Sequence, residues 1–298
     1  MYERQHGNER KPVFANRSRG RQNLYSDIKK YLGKGRKATE ACHGKSMIYV
    51  SHLLPDDEMR EIIEQTGAGI ESIEFSISDN LDHLEESIRN YRKRLKDMNC
   101  PGLTLHGPFM NLDPAAFDSE VRKITGMRFH ETYIAGQELG AKKIVYHTCM
   151  NPYVHYLQGW AERVAEFFGE FLEEHKGLEI VMENVFDPQI EPVLDVYKIL
   201  GEKYPNFHLC FDMGHAHCYS KMPVLEWTEK LAPYVTHVHV HDNCGDRDSH
   251  AFLGAGNIPY KKVLGLLPET EERTWTVECC TKEDVSRTFH VLKNIVSG

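Results

Sequence analysis

His208-Leu209-Cys210-Phe211-Asp212, residues 208–212, is a short apolar run that ends in a carboxylate. Strand side chains alternate faces. Leu209 and Phe211 therefore share one face, and Asp212 takes the other. If the apolar pair packs on helices, Asp212 points inward at the C-terminal end of its strand. The same construction recurs along the chain. Strand candidates are Met47–Ser51, Ser72–Ile77, Leu103–His106, Lys143–His147, Glu179–Glu183, His208–Asp212, His237–His241 and Thr274–Glu278. Helical patterns separate them, including Asp82–Met98, Glu120–Leu139, Tyr156–His175, Pro192–Lys203, Val224–Tyr234 and Thr281–Val296. Strict β-α alternation implies a parallel sheet. Eight units imply closure, so the expected fold class is α/β, a (β/α)8 barrel. No Gly-x-Gly-x-x-Gly follows the first strand, which argues against a dinucleotide fold.

Length agrees. The chain has 298 residues, room for a barrel of about 250 plus an extension. Residues 1–45 carry 12 Lys and Arg against 4 Asp and Glu, leaving 24 against 40 for residues 46–298. The first segment, with its Gly/Arg-rich stretches, reads as a basic extension expected to be disordered. Residues 46–298 read as the barrel, and that body is acidic. Non-specific nucleic-acid binding needs clustered basic groups, so nucleic acid is not the expected partner. Apolar runs stay strand-length, too short to span a bilayer. No apolar signal region opens the chain, so a cytoplasmic protein is expected. None of the eight cysteines forms a C-x-x-C pair, which fits reduced thiols rather than a zinc-thiolate site. Composition leaves a homo-oligomer open.

Parity carries the functional reading. Beside Asp212, it aims Glu183, Glu278, His106, His147 and His239 into the barrel, each at or near the C-terminal end of its strand. Barrel enzymes place their chemistry there. Burying unpaired charges costs several kcal/mol, so converging carboxylates and histidines call for a cation. Hard oxygens with imidazoles suit a divalent metal, Mn2+ or Zn2+ foremost, with Mg2+ and Fe2+ also compatible. His215 follows Asp212 by three residues. Asp248-Ser249-His250 follows strand seven and runs into Leu253-Gly254-Ala255-Gly256. His215, Asp248 and His250 are expected in loops on the same face.

With Leu105-His106-Gly107-Pro108-Phe109, Met182-Glu183-Asn184, Asp212-Met213-Gly214-His215 and His239-Val240-His241-Asp242-Asn243, the chain from about Met47 onward resembles the xylose-isomerase-like TIM-barrel superfamily. That superfamily contains sugar isomerases, sugar epimerases and endonuclease IV. For an epimerase, the resemblance implies one metal on Glu183, Asp212, His239 and Glu278. For endonuclease IV, it implies three zinc ions on those four together with His106, His147, His215, Asp248 and His250. One to three ions are therefore expected.

The first functional reading is a metal-dependent isomerase or epimerase of a sugar or sugar phosphate, working through an enediolate. Glu183 and Glu278 are its acid/base pair. His215 would hydrogen-bond a substrate hydroxyl, and Arg247 would meet a substrate phosphate. The alternative is a metal-cluster phosphodiesterase. Against it stand the acidic barrel, early loops poor in Arg and aromatics, and Asn184-Val185-Phe186-Asp187-Pro188 where endonuclease IV has a Gly-rich run. A non-catalytic barrel is the third reading, disfavoured because both glutamates are retained.

Overall fold

The computed structural model describes residues 47–267, 270 and 273–296. The expected N-terminal extension lies outside the described residues. Eight parallel strands close in sequence order: β1 Ile48–Ser51, β2 Gly69–Ser72, β3 Leu103–His106, β4 Lys143–His147, β5 Glu179–Glu183, β6 Phe207–Asp212, β7 Val235–Val240 and β8 Thr274–Val277. Pairing of β1 with β8 completes the ring, with Tyr49 opposite Thr276. The expected barrel is therefore the observed one.

The helices are α1 Asp56–Thr66, α2 Ser78–Asp82, α3 Leu84–Asp97, α4 Ser119–Leu139, α5 Trp160–Glu174, α6 Glu191–Leu200, α7 Met213–Tyr219, α8 Val224–Leu231, α9 Tyr260–Gly265 and α10 Lys282–Val296. Local chemistry sets their ends. Asp118 caps α4 by accepting the Glu120 N–H at 2.8 Å. Gly67 and Gly140 end α1 and α4 with left-handed backbone, where a Cβ would be strained. None of the described helices is long and apolar enough to cross a membrane. The described cysteines are all free thiols.

Two sequence expectations are corrected. The second strand is Gly69–Ser72, not Ser72–Ile77, and Glu74–Ser76 is a 3-10 turn. Residues 72–77 alternate apolar and polar and so mimic a strand. The ladder nevertheless begins at Gly69 opposite Tyr49. A Cβ at Gly69 would lie 2.5 Å from the Tyr49 ring, so only glycine lets the strand approach there. The second correction concerns His215, expected in a loop. It lies in the first turn of α7, because Asp212 Oδ1 accepts the His215 N–H at 2.7 Å and caps that helix.

Outward-facing Leu103, Leu105, Ile144, Tyr146, Met182, Phe211, Val238 and Trp275 are buried beneath the helices. The register sets polar residues side by side on the inner face. His147 pairs with Glu183, and Asp212 with His239. Parity thus places the expected ligands at one mouth.

Candidate metal centre

All nine expected ligands meet at the C-terminal mouth. Glu183, Asp212, His239 and Glu278 are almost fully buried. His239 Nδ1 is their centre. It lies 3.3 Å from Glu183 Oε1, 3.7 Å from Asp212 Oδ2 and 3.4 Å from Glu278 Oε1. His106 and His147 approach from β3 and β4, each with Nε2 3.4 Å from Glu183 Oε2. Phe109 stacks on the His147 ring at 4.4 Å. On the other side, Asp248 Oδ2 is 3.2 Å from His215 Nε2 and 3.1 Å from His250 Nε2. Arg247 sits exposed on the same loop.

Backbone carbonyls select the histidine tautomers. Nδ1 of His106 donates to the Gly107 carbonyl at 2.9 Å, Nδ1 of His215 to Asn184 at 3.1 Å, and Nδ1 of His250 to Glu278 at 3.0 Å. Each ring then turns an Nε2 lone pair toward the carboxylates, the arrangement of a metal-binding histidine. Lone pairs facing carboxylates repel unless a cation lies between them. His239 Nδ1, Glu183 Oε2 and Asp248 Oδ1 are buried and have no hydrogen-bond partner. Buried polar atoms are rarely left so. The donor set fits a divalent ion.

Without a metal, protons supply the missing positive charge. Burial alone would depress His215 and His239, but the surrounding carboxylates push both well above the ordinary imidazole value. Burial likewise opposes protonation of His250, yet Asp248 and Glu278 carry it up to about 9. His147 is the exception. Burial dominates there and holds it down to about 3. Glu183 stays well below the carboxylate range despite burial, chiefly through the charge on His239.

The outer support is specific. Asn184 bridges β5 and β6, donating to the Asp212 carbonyl and accepting the Asp212 N–H, both at 3.0 Å. Asp242 shapes the loop after β7. It pairs with Ala251 in an isolated bridge and accepts N–H groups from Asn243, Gly254 and Ile258. That fold-back carries Asp248 and His250 over the mouth, with His250 at φ +47°, an uncommon backbone for a non-glycine residue.

Two residues escaped the sequence reading. Glu71 is fully buried beneath the site. Its Oε2 accepts from Thr104 Oγ1 at 3.0 Å, Thr276 Oγ1 at 2.8 Å and His237 Nε2 at 2.7 Å. Its Oε1 stands 2.9 Å from His239 Nε2. Placing β2 three residues late hid it. His241 shares the parity of His237 and His239, a signal that was available. Its Nε2 donates to both Asp212 oxygens at 3.1 Å.

The sequence profile of the xylose isomerase-like TIM barrel matches residues 66–295. The uncharacterized protein MJ1311 of Methanocaldococcus jannaschii is 30% identical over 197 residues, covering 60% of this chain and 64% of that protein. The chain thus spans less than two thirds of that relative's length. Among solved structures, the TTHB071 protein of Thermus thermophilus, soaked with ZnCl2, has a TM-score of 0.69 at 24% identity, covering 84% of this chain and 98% of that one. A D-tagatose 3-epimerase-like protein has a TM-score of 0.68 at 24% identity, covering 84% and 96%. These two likenesses are likenesses of fold.

Proposed function

The chain belongs to the xylose isomerase-like TIM barrel family, and we propose that it is a divalent-metal-dependent isomerase or epimerase of a sugar or sugar phosphate. One observation carries the reading. Glu183 and Glu278 bring an oxygen within 3.3 and 3.4 Å of the same His239 nitrogen. They arrive from β5 and from the end of β8, which are not neighbours in the barrel. Two carboxylates facing one point from different sides can remove and return a proton on a carbon held between them.

Glu183, Asp212, His239 and Glu278 would hold the ion, Zn2+ or Mn2+. When bound, it would supply Lewis-acid polarisation of the substrate oxygens. One glutamate takes the proton from the carbon beside the substrate carbonyl, leaving an enediolate, and the other returns a proton. His106 and His147 line the opposite wall and would bind substrate hydroxyls. His215, expected to bind a hydroxyl, keeps Nδ1 on the Asn184 carbonyl and Nε2 on Asp248, so that role falls to His106 and His147. Arg247 would meet a phosphate from the solvent side.

Metal-cluster phosphodiester hydrolysis is the second reading. It is favoured by the flanking His106/His147/Glu183 and His215/Asp248/His250 groups, since clustered ions can stabilise attacking and leaving oxygens. The test is proton exchange in D2O, followed by NMR over ketoses, aldoses and their phosphates with Mn2+ or Zn2+ present. Deuterium should appear at the carbon beside the carbonyl. Glu278→Gln should abolish that exchange while the protein stays folded. No exchange with any sugar, together with cleavage of bis(p-nitrophenyl) phosphate that His250→Ala removes, would replace the first reading with the second.

A further inference from the structure

We propose that His241 is the fourth ligand of a closed second divalent-metal site, formed with His215, Asp248 and His250. The inference rests on the proposed function only in requiring a divalent metal, and is independent of the reaction. One ligand atom from each of these four residues lies within 4.8 Å of every other. His241 is fully buried. Its Nε2–H is spent on Asp212, so Nδ1 carries the lone pair. That nitrogen has no hydrogen-bond partner and faces Asp248 Oδ1 at 3.6 Å. Asp248 Oδ1 is likewise buried without a partner.

The remaining donors point the same way. His215 and His250 give their Nδ1–H to backbone carbonyls and turn Nε2 to Asp248 Oδ2. Three imidazole lone pairs therefore surround one carboxylate. Gly214 secures the approach of α7 to this group, since a Cβ there would lie 2.0 Å from the His241 ring. Asn243 helps too, donating to the Gly214 carbonyl at 2.9 Å.

Four protein donors, three of them imidazoles, fill the coordination that structural zinc sites use; the Glu183/Asp212/His239/Glu278 site has a single imidazole and would take substrate oxygens as further ligands. A second ion held in this way would tie α7 to the loop after β7 rather than generate hydroxide. Two equivalents of metal would then be compatible with isomerase chemistry.

The experiment uses full-length protein stripped of metal and titrated with Zn2+ alone and Co2+ alone, without substrate. Wild type should bind two classes of ion, one with the intense visible absorption of four-coordinate Co2+. His241→Gln keeps an amide N–H for Asp212 but removes the Nδ1 lone pair. It should weaken the four-coordinate class by more than the roughly 10–100-fold that an outer-shell partner costs. His250→Ala should do the same, and the other class should be little changed. His241→Asn places an amide oxygen near the Nδ1 position. It should retain the ion with shifted Co2+ bands, and it carries the test if the Gln variant fails to fold. Wild-type affinity in His241→Gln, loss of the other class instead, or unshifted bands in His241→Asn would overturn the assignment. Because no turnover is read, failure here leaves the isomerase reading to its own test.

Discussion

Glu71→Gln is the substitution that best probes how the barrel interior serves its mouth. Glu71 is fully buried and receives hydrogen bonds from Thr104, Thr276 and His237. Its other oxygen lies 2.9 Å from His239 Nε2. Burial would raise its pKa, but His239 and His237 hold it well below the carboxylate range, so it stands there as an anion. With a metal on His239 Nδ1, this is a carboxylate–histidine–metal triad. Glutamine keeps the volume and an acceptor but removes the charge. Outer-shell partners of this kind are worth about 10–100-fold in metal affinity, or roughly 1.4–2.7 kcal/mol at 1.36 kcal/mol per tenfold. Glu71→Ala would also leave buried donors unpaired, at roughly 1–3 kcal/mol each, and so risks the fold. The glutamine variant is therefore the informative one. Competition with a chromophoric chelator gives Zn2+ affinity, and urea unfolding of the stripped protein separates stability from binding. A folded Glu71→Gln protein that binds the ion of the Glu183/Asp212/His239/Glu278 site within threefold of wild type would refute the triad.

Three further outcomes are expected. Gly214→Ala should cost about 1–3 kcal/mol, the range for overpacking, because the new methyl meets the buried His241 ring at 2.0 Å; urea midpoints unchanged from wild type would contradict this. His175 is buried and stacked on Phe171 at 4.0 Å, and burial lowers its pKa to about 4. The unfolded chain takes up this proton near pH 6.5 and the folded one only near 4. Stability should therefore fall as pH drops through that window, by on the order of 3 kcal/mol from this residue; the difference between pH 7 and 4.5 should shrink in His175→Gln, and an equal difference in both proteins would sink the assignment. Finally, a chain starting at Met47 should be soluble and bind metal as the full chain does, since residues 1–45 hold few apolar groups; aggregation or loss of the site would show that the segment is structural.

The barrel and most of its site were legible in the residues alone. Strands buried on both sides read as apolar runs, and a polar residue ending such a run has only the mouth to face. Asp212, Glu183, His106, His147 and His239 follow from that parity, and Glu278 follows one residue beyond β8. Parity fails where the frame is wrong. The alternation in residues 72–77 is as good a strand pattern as Gly69–Ser72, and only pairing with Tyr49 and Leu103 chooses between them. Glu71 was lost for that reason. Tertiary structure alone decided how closely these side chains approach one point. Their separation across non-adjacent strands depends on barrel tilt and stagger, which no local pattern records. It also decided that His241 turns one nitrogen to Asp212 and the other toward Asp248. That outcome comes from the fold-back of the loop around Asp242 and the close approach of α7 at Gly214, contacts between segments far apart in the chain.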